Sequence, residues 1–429
     1  MDVPAPSATR VQQARVSVMV FFAGVGVLAA TFVSRVPSVR DDLHVSPSEY
    51  GAVLLFGACG GLVAFWFTGG LVARLGSLAV GRACIAGIVA GILAMAGAAL
   101  LGSPLLYGAG SFVALGNFEI LMATLSAEAA TIERLVGRPI MAQFHATFSL
   151  SMLAGLALGA GYSYVGASVT THFLVNATLV GLVWLAVANR AFIDGRPPPR
   201  ANGTGRSDFF SGIRAAVREP RTIALGFILL CAFTTELAAG NWIPLALVDD
   251  FARTEGTASV LYASVIIAQS LTRVLGVSRL QRWGRVATLR VCATLIAVGA
   301  AAFALSPSFA VVIPALLVWG VGTAFAFPVA LSAAADERTD ATSRVAAVNV
   351  FGTAGGLVAP LLVGVIAEAV GVRQALLLVC VAAAAIFTLA PASRPPHGGP
   401  SSSSTPALDS SPGSKPPSRA RDGRGGPRR

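Results

Sequence analysis

Three ionisable residues, Glu119, His145 and Glu236, stand inside long apolar runs of this chain. A charge at the centre of a membrane helix costs about 2.5–3.5 kcal/mol, so such residues mark proton relays, ion paths or substrate contacts by default. A carboxylate there is paired or protonated, and it exchanges a proton when water reaches it from alternate sides. Glu119 and Glu236 are the only acids placed well inside apolar runs, which makes them the first candidates for proton coupling. Glu119 and His145 fall at comparable depth on consecutive runs, so they could pair. Uncharged polar groups lie close by: Asn117, Asn241, Asn349, Gln143 and Gln269, with Trp242 beside Asn241. Amides and aromatics of this kind suit a cavity for a small hydroxylated solute. The plainer role of each amide is a hydrogen bond between helices, worth about 0.6–2 kcal/mol.

Other chemistry is excluded by what is missing. The only lysine is Lys415, so the apolar body holds no P-loop lysine and no Schiff-base lysine. Cys59, Cys84, Cys231, Cys292 and Cys380 sit singly in apolar runs, with no Cys-x-x-Cys pair. Neither a His-Glu-x-x-His nor a Gly-x-Ser-x-Gly occurs. An enzyme is not expected, and no cofactor or metal is implied.

The elements that must position these residues follow from composition. The 429 residues are 55% hydrophobic and only 12% charged, and the mean hydropathy is +0.74. That much apolar surface needs lipid as solvent. The net charge of +11 raises nucleic-acid binding as an option. Its distribution argues against that, because the arginines flank apolar runs or crowd the C-terminal tail. Twelve runs reach the roughly 20 residues a span needs, beginning near residues 16, 50, 83, 105, 140, 171, 222, 257, 286, 309, 344 and 371. With the N-terminus inside, 27 of the 31 basic residues fall on the inner side, and Arg35, Arg40, Arg253 and Arg373 remain outside. This bias predicts cytoplasmic termini in an inner, cytoplasmic membrane. The chain then divides into an N-terminal segment 1–15, a six-helix half 16–191, a central loop 192–221, a second six-helix half 222–392 and a disordered tail 393–429.

An internal repeat relates the halves. A shift of 204 places Gly116 on Gly320, Glu133-Arg134 on Glu337-Arg338, and His145 on Asn349. A shift of 208 places Arg74-Leu75-Gly76 on Arg282-Trp283-Gly284. Six spans per half make the repeat parallel, so the predicted fold is an all-α membrane protein of twelve transmembrane helices in two parallel six-helix halves. Glycine runs in spans 5 and 11, Gly155-x3-Gly159 and Gly352-x2-Gly355, fit helices that slide at the interface between halves.

The segment Gly70 to Gly76 with Gly81-Arg82, and its counterpart Arg273 to Arg285, resemble the signature loops of the major facilitator superfamily. Arg35-Val36-Pro37, Gly137-Arg138-Pro139 with His145, and Glu236 with Asn241-Trp242 resemble its YbjJ-like bacterial group near the sugar permeases. The resemblance implies a secondary transporter of alternating access. The acid usual in the signature loop is absent, with Ala73 and Val277 in its place. Arg74, Arg279, Arg282 and Arg285 are therefore expected to latch the inner gate with Glu133-Arg134 and Glu337-Arg338. The expected activity is proton-coupled movement of a small polar, sugar-like solute by a monomer in the lipid bilayer, with protons and the solute as partners. The rival is a proton-coupled drug or metabolite efflux antiporter. Span 5 lacks the Gly-Pro signature of such antiporters, which weighs against it.

Overall fold

The computed structural model describes residues 6–138, 140–193, 212–336 and 341–395. Twelve helical stretches are long and apolar enough to cross a membrane. They are hydrophobic all round, as helices surrounded by lipid and by one another must be. The first half holds α1 (Ala8–Val33), a short α2 (Val36–Leu43), α3 (Pro47–Leu75), α4 (Ser77–Leu101), α5 (Pro104–Val136), α6 (Met141–Tyr164) and α7 (Val169–Ala191). The second holds α8 (Pro220–Asp249), α9 (Glu255–Leu275), α10 (Val277–Ala304), α11 (Val312–Thr323), α12 (Ala326–Ala334), α13 (Ala341–Val370), α14 (Val372–Ala375) and α15 (Leu378–Leu389). The described chain up to Arg394 is one compact unit.

Local sequence sets several helix ends. Ser46 and Glu49 form a capping box at α3: Ser46 Oγ accepts from Glu49 N, and Glu49 Oε2 from Ser46 N at 2.8 Å. Ser103, Ser168 and Thr254 cap α5, α7 and α9 with their hydroxyls. The repeat is visible in backbone geometry. Gly76 ends α3 at φ 81°, ψ 155°, and Gly284 breaks α10 at φ 75°, ψ 168°. Gly116 and Gly320 each lie against a neighbouring backbone, the carbonyls of Gly60 and Val265.

One span boundary differs from the sequence expectation. Gly276 keeps a helical φ of −89° and ψ of −7°, so the eighth span continues through residue 283 and turns at Gly284. At the 208 shift it matches α3 from end to end. Arg273, expected at the edge of a cytoplasmic loop, therefore lies inside a span. It is 11 residues before the turn, about 16 Å at 1.5 Å per residue.

The halves meet through α3 on α13 and α6 on α9. Close approach depends on Gly51 and Gly364, which face the carbonyls of Pro360 and Pro47, and on Gly256 at the Ala160 carbonyl. The glycine runs expected at this interface mostly pack inside each half. Gly155 and Gly159 admit Ala30 and Ser34 of α1, while Gly352 and Gly355 admit Phe233 and Leu230 of α8. Within a half the helices must approach to backbone contact, and only small residues permit it.

Candidate functional site

Span ten is broken between α11 and α12, and sequence explains the break. Residue 328 is proline, with no N–H to give the Ala324 carbonyl four residues earlier. That carbonyl instead accepts Arg273 Nε at 2.9 Å. The guanidinium is thereby anchored at one edge. Its Nη2 lies 3.7 Å from Glu236 Oε1, longer than a hydrogen bond. Glu236 Oε1 is held by Gln269 Nε2 at 2.9 Å. Glu236 is 13 residues from the C-terminal end of α8, about 20 Å deep. The side chains of Arg273 and Glu236 are 39% and 38% exposed despite that depth. Ionisable groups at such depth turn to the bundle interior or to water in preference to lipid. From the opposite half, His145 of α6 is exposed. Its ring meets Phe22 edge-on at 5.6 Å.

The other predicted residues are dispersed. Glu119 is exposed on α5 beside Gly61 of α3, with no hydrogen bond or ion pair to His145 or to any other described residue. The Glu119–His145 pair that their depth allows is thus not formed. Asn117 donates to the Val113 carbonyl of its own helix at 2.8 Å and packs on Gly87 of α4. Its amide fills a helix contact instead of lining the cleft. Asn349 likewise donates to the Val345 carbonyl at 2.9 Å, and its own carbonyl accepts from Thr353. Asn241 is half-buried and makes no side-chain hydrogen bond among the described residues. Trp242 is fully buried, edge-on to Tyr50 of α3 at 6.0 Å. It packs at the junction of the halves in this conformation.

Contacts at the two ends of the molecule are unequal. At the arginine-poor end Arg35 pairs with Glu255 at 3.1 Å and donates to the Ala167 carbonyl at 2.8 Å. Glu255 also accepts from Ser38 N at 3.0 Å. Arg40 forks onto Asp249, and Ser48 N donates to Glu368 at 3.2 Å. All but the Ala167 bond tie one half to the other. Toward the arginine-rich end α3 and α9 are largely exposed from Trp66 and Leu271 onward. The conformation is closed at the arginine-poor end.

The arginine-rich end holds the predicted latch residues apart in this conformation. Arg74, Arg279 and Arg282 are exposed with no polar side-chain partner among the described residues. Glu133 accepts from Ile140 N and Met141 N at 2.7 Å each. It thus caps the N-terminus of α6, where the helix dipole favours an anion, and does not meet Arg74. Arg134 reaches only Thr131 of its own helix. Arg285 pairs with Asp336 at 2.6 Å, and Arg221 joins the same carboxylate at 2.9 Å. Glu337 and Arg338 lie outside the described residues. Nearby, Arg344 grips Glu219 at 2.7 and 2.9 Å. Those hydrogen bonds hold the Glu219 carboxyl below its ordinary range against the opposing effect of burial.

Sequence reasoning missed Arg273, Asp336 and the whole arginine-poor latch. Signals existed for each. Arg273 precedes the Gly284 turn by more than two helical turns, Asp336 adjoins Glu337, and Arg35 and Arg40 are two of only four basic residues on their side. Among the described residues no group of three or more His, Cys, Asp or Glu could hold a metal ion.

Comparison with known proteins agrees with this architecture. Residues 225–421 match the model of the Major Facilitator Superfamily. The uncharacterized transporter y4wD of Sinorhizobium fredii (strain NBRC 101917 / NGR234) is 28% identical over 369 residues, covering 85% of this chain and 94% of its own. A crystal structure of the nucleoside transporter NupG, in a mutant form, superposes with a TM-score of 0.74 at 14% identity, over 90% of this chain and 98% of that one. FucP in the outward conformation superposes with a TM-score of 0.59 at 14% identity, over 89% and 98%.

Proposed function

Starting from a chain that belongs to the major facilitator superfamily of membrane transporters, we propose that it moves a small polar, sugar-like solute together with protons. The observation that carries this reading is the Glu236–Gln269–Arg273 group, set about 20 Å deep within the spans and more than one third exposed. A site shared by the halves changes its access when they rock. Glu236 is the coupling acid: it is held by one amide, lies 3.7 Å from a cation that a backbone carbonyl anchors, and is 38% exposed. Glu119, unpaired on α5, is the second candidate. The polyhydroxylated character of the solute is supported by the solved transporters for a nucleoside and, by its printed name, fucose, and fits the branch near the sugar permeases. The arginine bias supports an inner-membrane protein whose arginine-rich end faces the cytoplasm. A monomer suffices, because both walls of the site come from one chain.

The test is uptake into proteoliposomes with and without an imposed pH gradient, for solutes first selected by thermal shift in detergent. Glu236→Gln is expected to reduce accumulation to the level seen without a gradient. It should leave solute exchange intact, because the amide resembles the protonated acid. Accumulation equal to the parent's would remove Glu236 from the coupling step. The same loss confined to Glu119→Gln would transfer the role to α5.

A further inference from the structure

We propose that the solute carries a carboxylate and that this carboxylate displaces Glu236 from Arg273, so that the protein is selective for small hydroxylated acids over neutral sugars. The inference rests on the transport reading above and narrows its substrate class. Arg273 presents a fork whose bonds are mostly unmade. Its Nε is used by the Ala324 carbonyl, its Nη1 has no partner among the described residues, and its Nη2 stands 3.7 Å from Glu236. Glu236 does not depend on the arginine for its position, since Gln269 holds it at 2.9 Å. An arginine kept inside a membrane with its terminal edge engaged only by one 3.7 Å ion pair is matched in shape to a bidentate carboxylate. The carbonyl that anchors it was freed by Pro328, so the guanidinium is fixed in plane before any ligand arrives.

Charge balance adds the second half of the inference. With Glu236 ionised, the pair is neutral and a carboxylate entering the cleft would leave a net negative charge in a low-dielectric site. With a proton on Glu236, Arg273 is the unbalanced charge and a carboxylate restores neutrality. Anion and proton therefore enter together, and one turnover carries no net charge through this site. A neutral sugar gains nothing from the arginine and leaves Glu236 as its competitor's partner.

The experiment uses the purified full chain and matched probes: gluconate, galactonate and glucuronate against glucose, galactose and sorbitol. Thermal shift in detergent should show stabilisation by at least one of the acids and none by its neutral match. Arg273→Gln should abolish that shift, and Arg273→Lys should weaken it, because an ammonium lacks the fork. Glu236→Gln should tighten binding of the acid by about tenfold, since a competing carboxylate is removed. This variant retains the cavity volume and keeps the test valid if Arg273→Gln fails to fold. In proteoliposomes, uptake of the acid driven by a pH gradient should not respond to an imposed membrane potential. If no acid stabilises either the parent or Glu236→Gln, the inference is overturned. It is equally overturned if a neutral sugar binds as well as its acid, and Glu236-dependent accumulation of that sugar would leave the transport reading standing alone.

Discussion

At the scale of single residues, the chain uses few charges and gives several of its acids a specific neighbour. Glu236 is held by Gln269, Glu133 by two backbone amides, and Glu219 by Arg344. The last pair yields a pH prediction. The folded-state pKa of Glu219 is depressed by Arg344, so its stabilising effect is present above the ordinary glutamate pKa and is lost as pH falls through the depressed value. Glu219→Gln should flatten the acid side of the stability profile and cost no more than about 0.5 kcal/mol at neutral pH. The pair is part-exposed and solvent screens it. Denaturation in detergent between pH 7 and pH 3 measures this, and an unchanged acid limb would show that the pair contributes nothing. Legibility in sequence was uneven at this scale. Glu236 was evident because an acid in an apolar run is costly anywhere. Its partner Arg273 was not, because a basic residue near a presumed span end reads as a loop charge until the span is seen to continue.

At the scale of elements, breaks and close contacts decide what each helix does. The interruption between α11 and α12 follows from Pro328 and hands a carbonyl to Arg273. Pro328→Ala restores an N–H that competes for that carbonyl. The expected result is an unchanged or raised melting temperature, with transport of the solute weakened several-fold through KM. Lost stability together with lost transport would point to a packing role alone. The contact of α3 with α13 depends on Gly51, where an added Cβ would stand 2.7 Å from the Pro360 carbonyl oxygen. Gly51→Val cannot close that contact without moving a backbone. It should shift the population toward opening at the arginine-poor end. A cysteine introduced by Ser38→Cys should then label several-fold faster with an impermeant maleimide, and equal labelling would show that the helices adjust without opening.

At the scale of the whole molecule, ion pairs tie the two halves together at the arginine-poor end. The tie most shielded from water is Arg35–Glu255, whose side chains are 4% and 10% exposed. Removing one partner of a buried pair costs about 3–5 kcal/mol, because the other charge is left uncompensated. Arg35→Gln should therefore destabilise the closed conformation strongly. Arg40→Gln, whose partner Asp249 is more exposed, should cost about 1 kcal/mol or less. Thermal denaturation together with the Ser38→Cys labelling rate separates the two, and equal effects would contradict this ranking. The doubly substituted Arg35→Gln, Glu255→Gln chain should recover part of the loss, since no lone charge remains buried.

Twelve spans and the parallel repeat were determined by sequence alone, and the physical reason is local. Apolar length is set by bilayer thickness, and the glycines at 76 and 284 are required wherever the backbone turns with positive φ. The repeat predicted their equivalence, and their dihedral angles agree within about 15°. Which polar groups meet was decided only by tertiary structure. Glu236 meets Gln269, Asn117 turns to α4, and Trp242 packs on Tyr50 of the other half. Rotation of a helix about its own axis leaves its hydropathy unchanged when every face is apolar, so periodicity carries no signal for the side a polar residue takes. The packing of glycines against particular backbones sets that rotation, and with it the composition of the site.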